Sequence, residues 1–407
     1  MSLAFQFHAP AVTAGRVTID CGAVYRSTDR IVSIDVLRGL VMIVMALDHV
    51  RDFFAPGGFN PRDVAEPALF LTRWFTHFCA PIFIFLAGIS AFLYGSQGRS
   101  LGDVSRYLLT RGLWLALIEF TVVRLGWSFS FGLNHFVTQV IFAIGASMIA
   151  LAALIHLPRW AIASVGLAMI AGHNLLDGIK AEQFGAAAPL WNVLHQPALL
   201  EIVSGVRWLA HYPLIPWIGV MAAGYALGPV FLLDRAARLQ WLAGLGVAVV
   251  AGFIGLRAGN LYGDPASWSG HEEFLATMLS FVNCEKYPPP LLYLAMTLGP
   301  GLLLLAAFER AHGRVAGVVT TFGRVPLFYY VAHIFLIHAL AVGFAIATVG
   351  DTAWLFGVFP VEKPAGYGLD LVGVYAVWLA VLVLLFPLCR WFAAIKRRRR
   401  EWWWSYL

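Results

Sequence analysis

Charge is scarce in this sequence: Asp, Glu, Lys and Arg make up 12% of its 407 residues, against 60% hydrophobic residues. Apolar runs of about 20 residues, enough to cross a bilayer, recur along nearly the whole length. The class this specifies is an all-α polytopic integral membrane protein, with the lipid bilayer as its first partner. Cysteine is also sparse. Cys21, Cys79, Cys284 and Cys389 show no C-x-x-C spacing, which argues against a disulfide framework or a zinc-thiolate site, and no other spacing calls for a metal. Residues 1–29 have no compact apolar core ahead of a small-residue cleavage site, so the first span is expected to direct its own insertion. No internal repeat is visible, which weakens readings built on inverted transporter halves. The net charge of +6 comes from loops and the C-terminus rather than from a basic helix interleaved with aromatics. Nucleic acid is therefore not an expected partner, and orientation by positive charge accounts for the excess.

About ten spans are expected, at 33–54, 69–96, 106–126, 137–156, 159–176, 212–233, 239–257, 289–308, 325–348 and 368–392. Arg16, Arg26 and Arg30, Arg99 and Arg106, Arg159, Arg235 and Arg238, Arg310 and Arg314, and Lys396 to Arg400 fall at the termini or in alternate loops. The positive-inside rule then puts both termini in the cytoplasm. Three segments follow: a cytoplasmic stretch 1–29, a multi-span domain 30–395, and a basic, aromatic tail 396–407 in which Trp402, Trp403 and Trp404 suit an interface. The opposite loops are longer and less basic, so functional loop surface is expected outside the cytoplasm. One of them, 271–284, is too short to span and fits a re-entrant or interfacial helix ending at Tyr287-Pro288-Pro289-Pro290.

The first span is unusual in holding Asp35, Arg38, Asp48 and His49. Ionisable groups at membrane depth are costly unless they face a protein interior or a wet cavity, so they mark functional sites. Arg38 and His49 return to one helix face about 16 Å apart along the axis, with Asp35 on the flank of the same stripe. That separation matches the reach of an extended phosphopantetheine arm. A phosphorylated donor anchored near Arg38 would present its acyl group toward His49. The alternative is a helix-end ion pair between Asp35 and Arg38, with His49 bonded to a nearby carbonyl.

In the second span, Pro81 removes the usual partner of the residue 77 carbonyl and is expected to bend the helix. His77 beside it suits either catalysis or a polar pair with the first span, and Gly88 suits close helix packing. A third cluster, Gly323-Arg324-Val325-Pro326-Leu327-Phe328-Tyr329-Tyr330-Val331-Ala332-His333, starts in a cytoplasmic turn and carries His333 inward. Tyr329 and His333, at i and i+4, share a face that can line a donor channel or bond across helices. Glu119, between Arg111 and Arg124, is expected in a structural polar network. Lys286 fits an acidic ligand or a snorkelling interfacial lysine.

The R-x-x-S-I-D-x-x-R-G opening at 30–39, the Asp48-His49 pair and the A-P-I-F-I-F-L-A-G run ending at Gly88 resemble the heparan-alpha-glucosaminide N-acetyltransferase catalytic-domain family, within the wider transmembrane acyltransferases. The Y-P-P-P element, the G-R-V-P-L-F-Y-Y-V-A-H stretch and the W-W-W-S-Y-L tail resemble its bacterial members, which implies a bacterial inner membrane as the location. The resemblance implies transfer of an acetyl group from cytoplasmic acetyl-CoA to an extracytoplasmic sugar or glycan, and it admits a homodimer. In the lysosomal member a histidine and an asparagine are implicated. Here His49 stands where that asparagine falls, and Asn60 lies nearest the expected place of the histidine, which leaves His49 and His77 as the local candidates.

The expected site thus has His49, His77 and Asp48 as catalytic groups. Asp35, Arg38, Arg30, Arg324, Tyr329 and His333 are the donor-binding groups. The rival reading is a transporter or flippase for a polar or glycan-type solute that uses the same intramembrane groups.

Overall fold

The computed structural model describes residues 31–58, 60–357 and 362–399. The segment 1–29 with Cys21, together with Arg30 and Trp402 to Trp404, lies outside the described residues. In chain order the helices are α1 (Val32–Phe54), α2 (Pro67–Thr76), α3 (Cys79–Gly95), α4 (Leu101–Ile118), α5 (Arg124–Ser128), α6 (Val140–Leu154), α7 (Arg159–Gly172), α8 (Ala188–Leu194), α9 (Leu214–Leu227), α10 (Arg235–Ala258), α11 (Phe274–Val282), α12 (Leu291–Phe308), α13 (Gly313–Arg324), α14 (Pro326–Thr348) and α15 (Leu371–Arg398). The strands β1 (His135–Thr138), β2 (Ala198–Val203) and β3 (Val206–Ala210) form a small sheet in the order β1-β3-β2, with β1 parallel and β2 antiparallel to β3.

Among the described residues, six helical stretches are long and apolar enough to cross a membrane: Pro67–Gly95, Leu214–Leu232, Arg235–Ala258, Leu291–Phe308, Pro326–Thr348 and Leu371–Arg398. Arg159–Leu176 and Ala181–Leu194 add a seventh if the pair, bent by 112°, is one broken span. α1 is 23 residues long and is set apart by its charges. Only 17% of the apolar stretch of α10 and of α15 is buried within the protein, and their outward faces carry Trp241, Val247, Ile254, Val383, Leu388 and Trp391. So much continuous apolar surface requires lipid around it, and the chain is an integral membrane protein.

Helix starts follow local chemistry. Asp234 accepts the amides of Ala236 and Ala237 at α10, Asp370 that of Gly373 at α15, and Ser100 that of Asp103 at α4. These caps occupy donors that would otherwise be orphaned. Helix crossings are set by facing glycines. A Cβ on Gly88 would lie 2.1 Å from the Met221 carbonyl oxygen and one on Gly224 2.2 Å from that of Phe85, so α3 and α9 touch backbone to backbone. Without a hydrophobic drive between helices in lipid, such close packing holds a bundle together.

The largest departure from the sequence reading is α13. The stretch before Arg324 is a helix rather than a turn, and it lies across the start of α1. There a Cβ on Gly39 would sit 2.0 Å from the Val319 carbonyl oxygen, and one on Gly323 2.0 Å from that of Asp35. The bend expected at Pro81 takes the form of a break at His77–Phe78 between α2 and α3, and the freed His77 carbonyl accepts the Tyr293 hydroxyl at 2.8 Å. The segment expected at 271–284 contains α11. The basic run from Lys396 is still helical through Arg398.

Candidate active site

α1 and α14 bring two buried histidines together. His49 Nδ1 lies 2.7 Å from His333 Nε2, and His333 Nδ1 lies 2.9 Å from the Tyr329 carbonyl oxygen one turn back. The direction of this chain follows from its end. A carbonyl only accepts, so His333 Nδ1 carries a proton. In a neutral ring Nε2 is then the acceptor, and it takes its bond from His49 Nδ1–H. His49 Nε2 is left with its lone pair, the form a base requires. The Tyr329 ring stacks on His333 at 5.1 Å, and Trp127 meets His49 edge-on at 4.9 Å.

A cavity of about 280 Å³ lies on the other side of Tyr330 from the pair, and neither histidine lines it. Its polar lining is basic, from Arg38, Arg111, Arg324 and Lys396, and its apolar lining includes Met42, Met45, Phe83 and Met148. Tyr330 belongs both to this lining and to the surroundings of His49, with ring centroids 6.1 Å apart. At the basic end Asp35 lies 3.3 Å from Arg38 and 3.8 Å from Arg324, and Arg38 also donates to Ser90 Oγ at 3.0 Å. The carboxylate therefore holds two cations at one point, on the two helices that cross at Gly39 and Gly323.

A second cavity, of about 330 Å³, is lined by Glu119, Arg124, Trp127, Ser130, Asn134 and His135 among others. Trp127 is its link to His49. Glu119 stands at the π-helical turn Glu119–Val123 that joins α4 to α5. Its carboxylate accepts the amides of Gln139 at 3.1 Å and Phe142 at 3.0 Å, so it caps the start of α6. The network expected around it is built on backbone amides.

Of the residues singled out in the sequence, His49 and His333 meet directly, Tyr329 stacks beside them, and Arg38, Asp35 and Arg324 gather at the basic end of the first cavity. Asp48 and His77 do not bond to His49. Asp48 pairs with Arg51 at 2.6 Å and accepts from Thr76 at 2.9 Å. The buried His77 ring packs against Tyr293 at 5.4 Å, and neither of its nitrogens has a hydrogen-bond partner among the described residues. Asn60 is exposed and caps a turn at Arg62. Sequence reading left out Trp127 and gave Tyr330, Lys396 and Arg111 no role in the site. Intramembrane Arg111 was the one with a readable signal, because an arginine in a span needs a cavity or a partner.

Outside the spans, Lys286 sits over the Tyr287 ring at 5.2 Å, and His211 packs on the same ring at 3.9 Å. Burial, and then the charge of Lys286, push the His211 imidazole down to about 4. Burial also brings the Lys363 ammonium down to about 8, against the pull of Asp52.

Among protein families, the model described as heparan-alpha-glucosaminide N-acetyltransferase, catalytic, matches residues 30–262. No curated protein matches the chain.

Proposed function

The chain belongs to the heparan-alpha-glucosaminide N-acetyltransferase catalytic family, and from that premise we propose that it moves an acetyl group from cytoplasmic acetyl-CoA to an extracytoplasmic sugar or glycan. The observation that carries this reading is the position of His49. It touches Tyr330, a wall of the basic and apolar cavity, and Trp127, a wall of the second cavity. The donor phosphates sit against Arg38, Arg111 and Arg324, and the pantetheine arm follows the methionine-rich lining toward Tyr330. Arginines suit this task because their planar, permanent charge matches phosphate oxygens. The acceptor enters from the second cavity.

His49 Nε2 takes the proton from the acceptor hydroxyl or amine as its oxygen or nitrogen bonds to the thioester carbonyl carbon. The carbon–sulfur bond then breaks, and the imidazolium returns the proton to the leaving thiolate, giving CoA and the acetylated acceptor. His333 positions His49 and holds its tautomer, with Tyr329 stacked behind it. Asp48 and His77 act from further off: Asp48 through its charge beside Arg51 and Thr76, and His77 from the α2–α3 break. The ten-span arrangement with both termini cytoplasmic, in a bacterial inner membrane, places the arginine end on the donor side. It also turns the long loops toward the acceptor.

The test is release of free CoA thiol from acetyl-CoA by the protein in nanodiscs, with and without a glycan extract, alongside calorimetric donor binding. His49→Ala is expected to lower acceptor-dependent release by roughly 10²–10⁴-fold, the usual worth of a general base, with donor binding retained. Replacing Arg38 and Arg324 together by Ala should weaken donor binding instead. Full activity in His49→Ala would overturn the assignment of the base. Solute flux without CoA release would overturn the acyltransferase reading in favour of transport.

A further inference from the structure

α7 ends in a short 3₁₀ turn, His173–Leu176, before the chain bends and returns through α8 to His195. This places His173, Asp177 and His195 around one point, with one donor atom from each lying within 4.8 Å of the others. No spacing in the sequence suggests the group, because His195 comes back only through the bend. His173 is 1% exposed and His195 3%, while the Asp177 side chain is 35% exposed, so the carboxylate forms the open side.

The hydrogen bonding of the three residues is incomplete. His195 Nε2 lies 3.1 Å from Asp177 Oδ1, yet among the described residues His195 Nδ1 and both ring nitrogens of His173 find no hydrogen bond of ordinary geometry. A buried polar group left unbonded costs about 1–3 kcal/mol, and His195 Nδ1 and one His173 nitrogen are in that position here. The surroundings are already organised as a supporting shell. Asn174 Nδ2 donates to Asp177 Oδ2 at 3.1 Å, which turns Oδ1 toward His195 Nε2 and the centre of the group, while Asn174 Oδ1 accepts the Leu291 amide at 3.0 Å. The Pro289 carbonyl faces the His173 ring, placed to take the N–H of the nitrogen that does not bind a metal, as a backbone carbonyl commonly does for a ligating histidine.

We propose that His173, Asp177 and His195 bind a divalent transition-metal ion, zinc above all, with water in the fourth position. Two imidazoles and one carboxylate suit zinc, whereas calcium and magnesium require oxygen donors. Zinc bonds of about 2.0–2.2 Å bring tetrahedral donors to roughly 3.3 Å apart, so modest side-chain rotation closes the site. The ion ties the bent segment after α7 to the Pro289–Leu291 stretch that starts α12. Neither the histidine pair nor the donor cavity is involved, so the site stands whether or not the acyltransferase reading does.

The experiment uses the full chain in nanodiscs, stripped with EDTA and then titrated with zinc chloride by calorimetry, with bound metal counted by elemental analysis. Cobalt is added separately to record its visible absorption. About one zinc per chain, a higher melting temperature and the intense spectrum of four-coordinate cobalt are expected. His173→Ala should abolish stoichiometric binding. The exposed Asp177→Asn, which spares the buried rings, should weaken it by at least about tenfold. Wild-type protein that takes up no zinc and gives only an octahedral cobalt spectrum overturns the proposal. Uptake unchanged in Asp177→Asn overturns it as well. If His173→Ala fails to fold, the cobalt spectrum of the wild type and the Asp177→Asn titration decide the matter.

Discussion

Replacing His333 by Leu removes the acceptor of the His49 Nδ1–H bond, now 2.7 Å long, without touching either cavity wall. Two losses follow from the geometry. The His49 N–H is left buried without a partner, which costs about 1–3 kcal/mol of stability. The tautomer is also no longer held. A bond worth about 1.4 kcal/mol corresponds to a tenfold bias, so about tenfold is the least that turnover should fall. Misorientation of the ring can raise the loss toward the roughly 10²–10⁴-fold that a general base contributes. Acetyl-CoA affinity should hardly change, since the phosphate-facing arginines lie at the far end of the cavity. The assay is the rate of acceptor-dependent CoA release at saturating donor, with donor KM and melting temperature measured in parallel. His333→Gln supplies the control, because its amide oxygen can accept the same N–H and should restore most of the turnover. Turnover unchanged in the Leu variant, or lost equally in the Leu and Gln variants, would refute the assignment of His333 as the group that fixes the base.

Gly39→Ala would put a methyl carbon 2.0 Å from the Val319 carbonyl oxygen and push α13 off α1. Overpacking of this kind costs about 1–3 kcal/mol, and acetyl-CoA affinity should drop more than turnover because Arg38 and Arg324 separate. Gly343→Ala, with nothing within 4 Å of the added carbon, should leave donor affinity unchanged; equal donor affinity in both variants would discount the crossing. Lys363 gives a pH effect of definite sign. Its pKa is held down to about 8 by burial against an ordinary value near 10.4, so between those values the unfolded chain binds more protons than the folded one. Stability from this group therefore rises with pH across that window. The melting temperature of the wild type relative to Lys363→Met should improve from about pH 8 to pH 10, and a flat difference would show that the ammonium is not held in a desolvated place.

The helices were legible because each apolar run favours its own helix, and each of the ten expected spans contains helix, although among the described residues six helical stretches, or seven with the bent pair, are long and apolar enough to cross a membrane. α13 was not. Gly313–Arg324 has only 12 residues with an arginine near each end, and nothing in that short stretch reveals that its Val319 and Gly323 side lies against α1. The small sheet escaped for a similar reason. The four residues of β1 pair in parallel with β3, a partner some 70 positions later, and so short a strand shows no alternation of its own. In the candidate site, His49 and His333 each stood out as ionisable groups at depth. Their meeting depends on two helices separated by 284 positions in sequence, which only packing decides. Asp48 makes no direct bond to His49 because adjacency along a helix is not adjacency in space: neighbours point about 100° apart, and Asp48 turns to Arg51 and Thr76.

Four residues of the opening motif, Ser33, Asp35, Arg38 and Gly39, can be given a physical reason. Ser33 donates to Glu309 Oε1 at 2.5 Å, and Glu309 also holds Arg238 at 2.5 Å, so the serine anchors the start of α1 to the segment after α12 and to α10. Asp35 lies between Arg38 and Arg324 and offsets the repulsion of two cations at the cavity mouth. Gly39 lets α13 approach closely enough for Arg324 to reach that carboxylate, since any side chain there would meet the Val319 carbonyl. Serine, aspartate, arginine and glycine thus build a single object, a cationic rim on two crossed helices with an apolar shaft behind it. A purely anchoring helix would need none of the four. Losing the glycine should damage the rim as much as losing an arginine, although the glycine itself carries no charge and contacts no ligand.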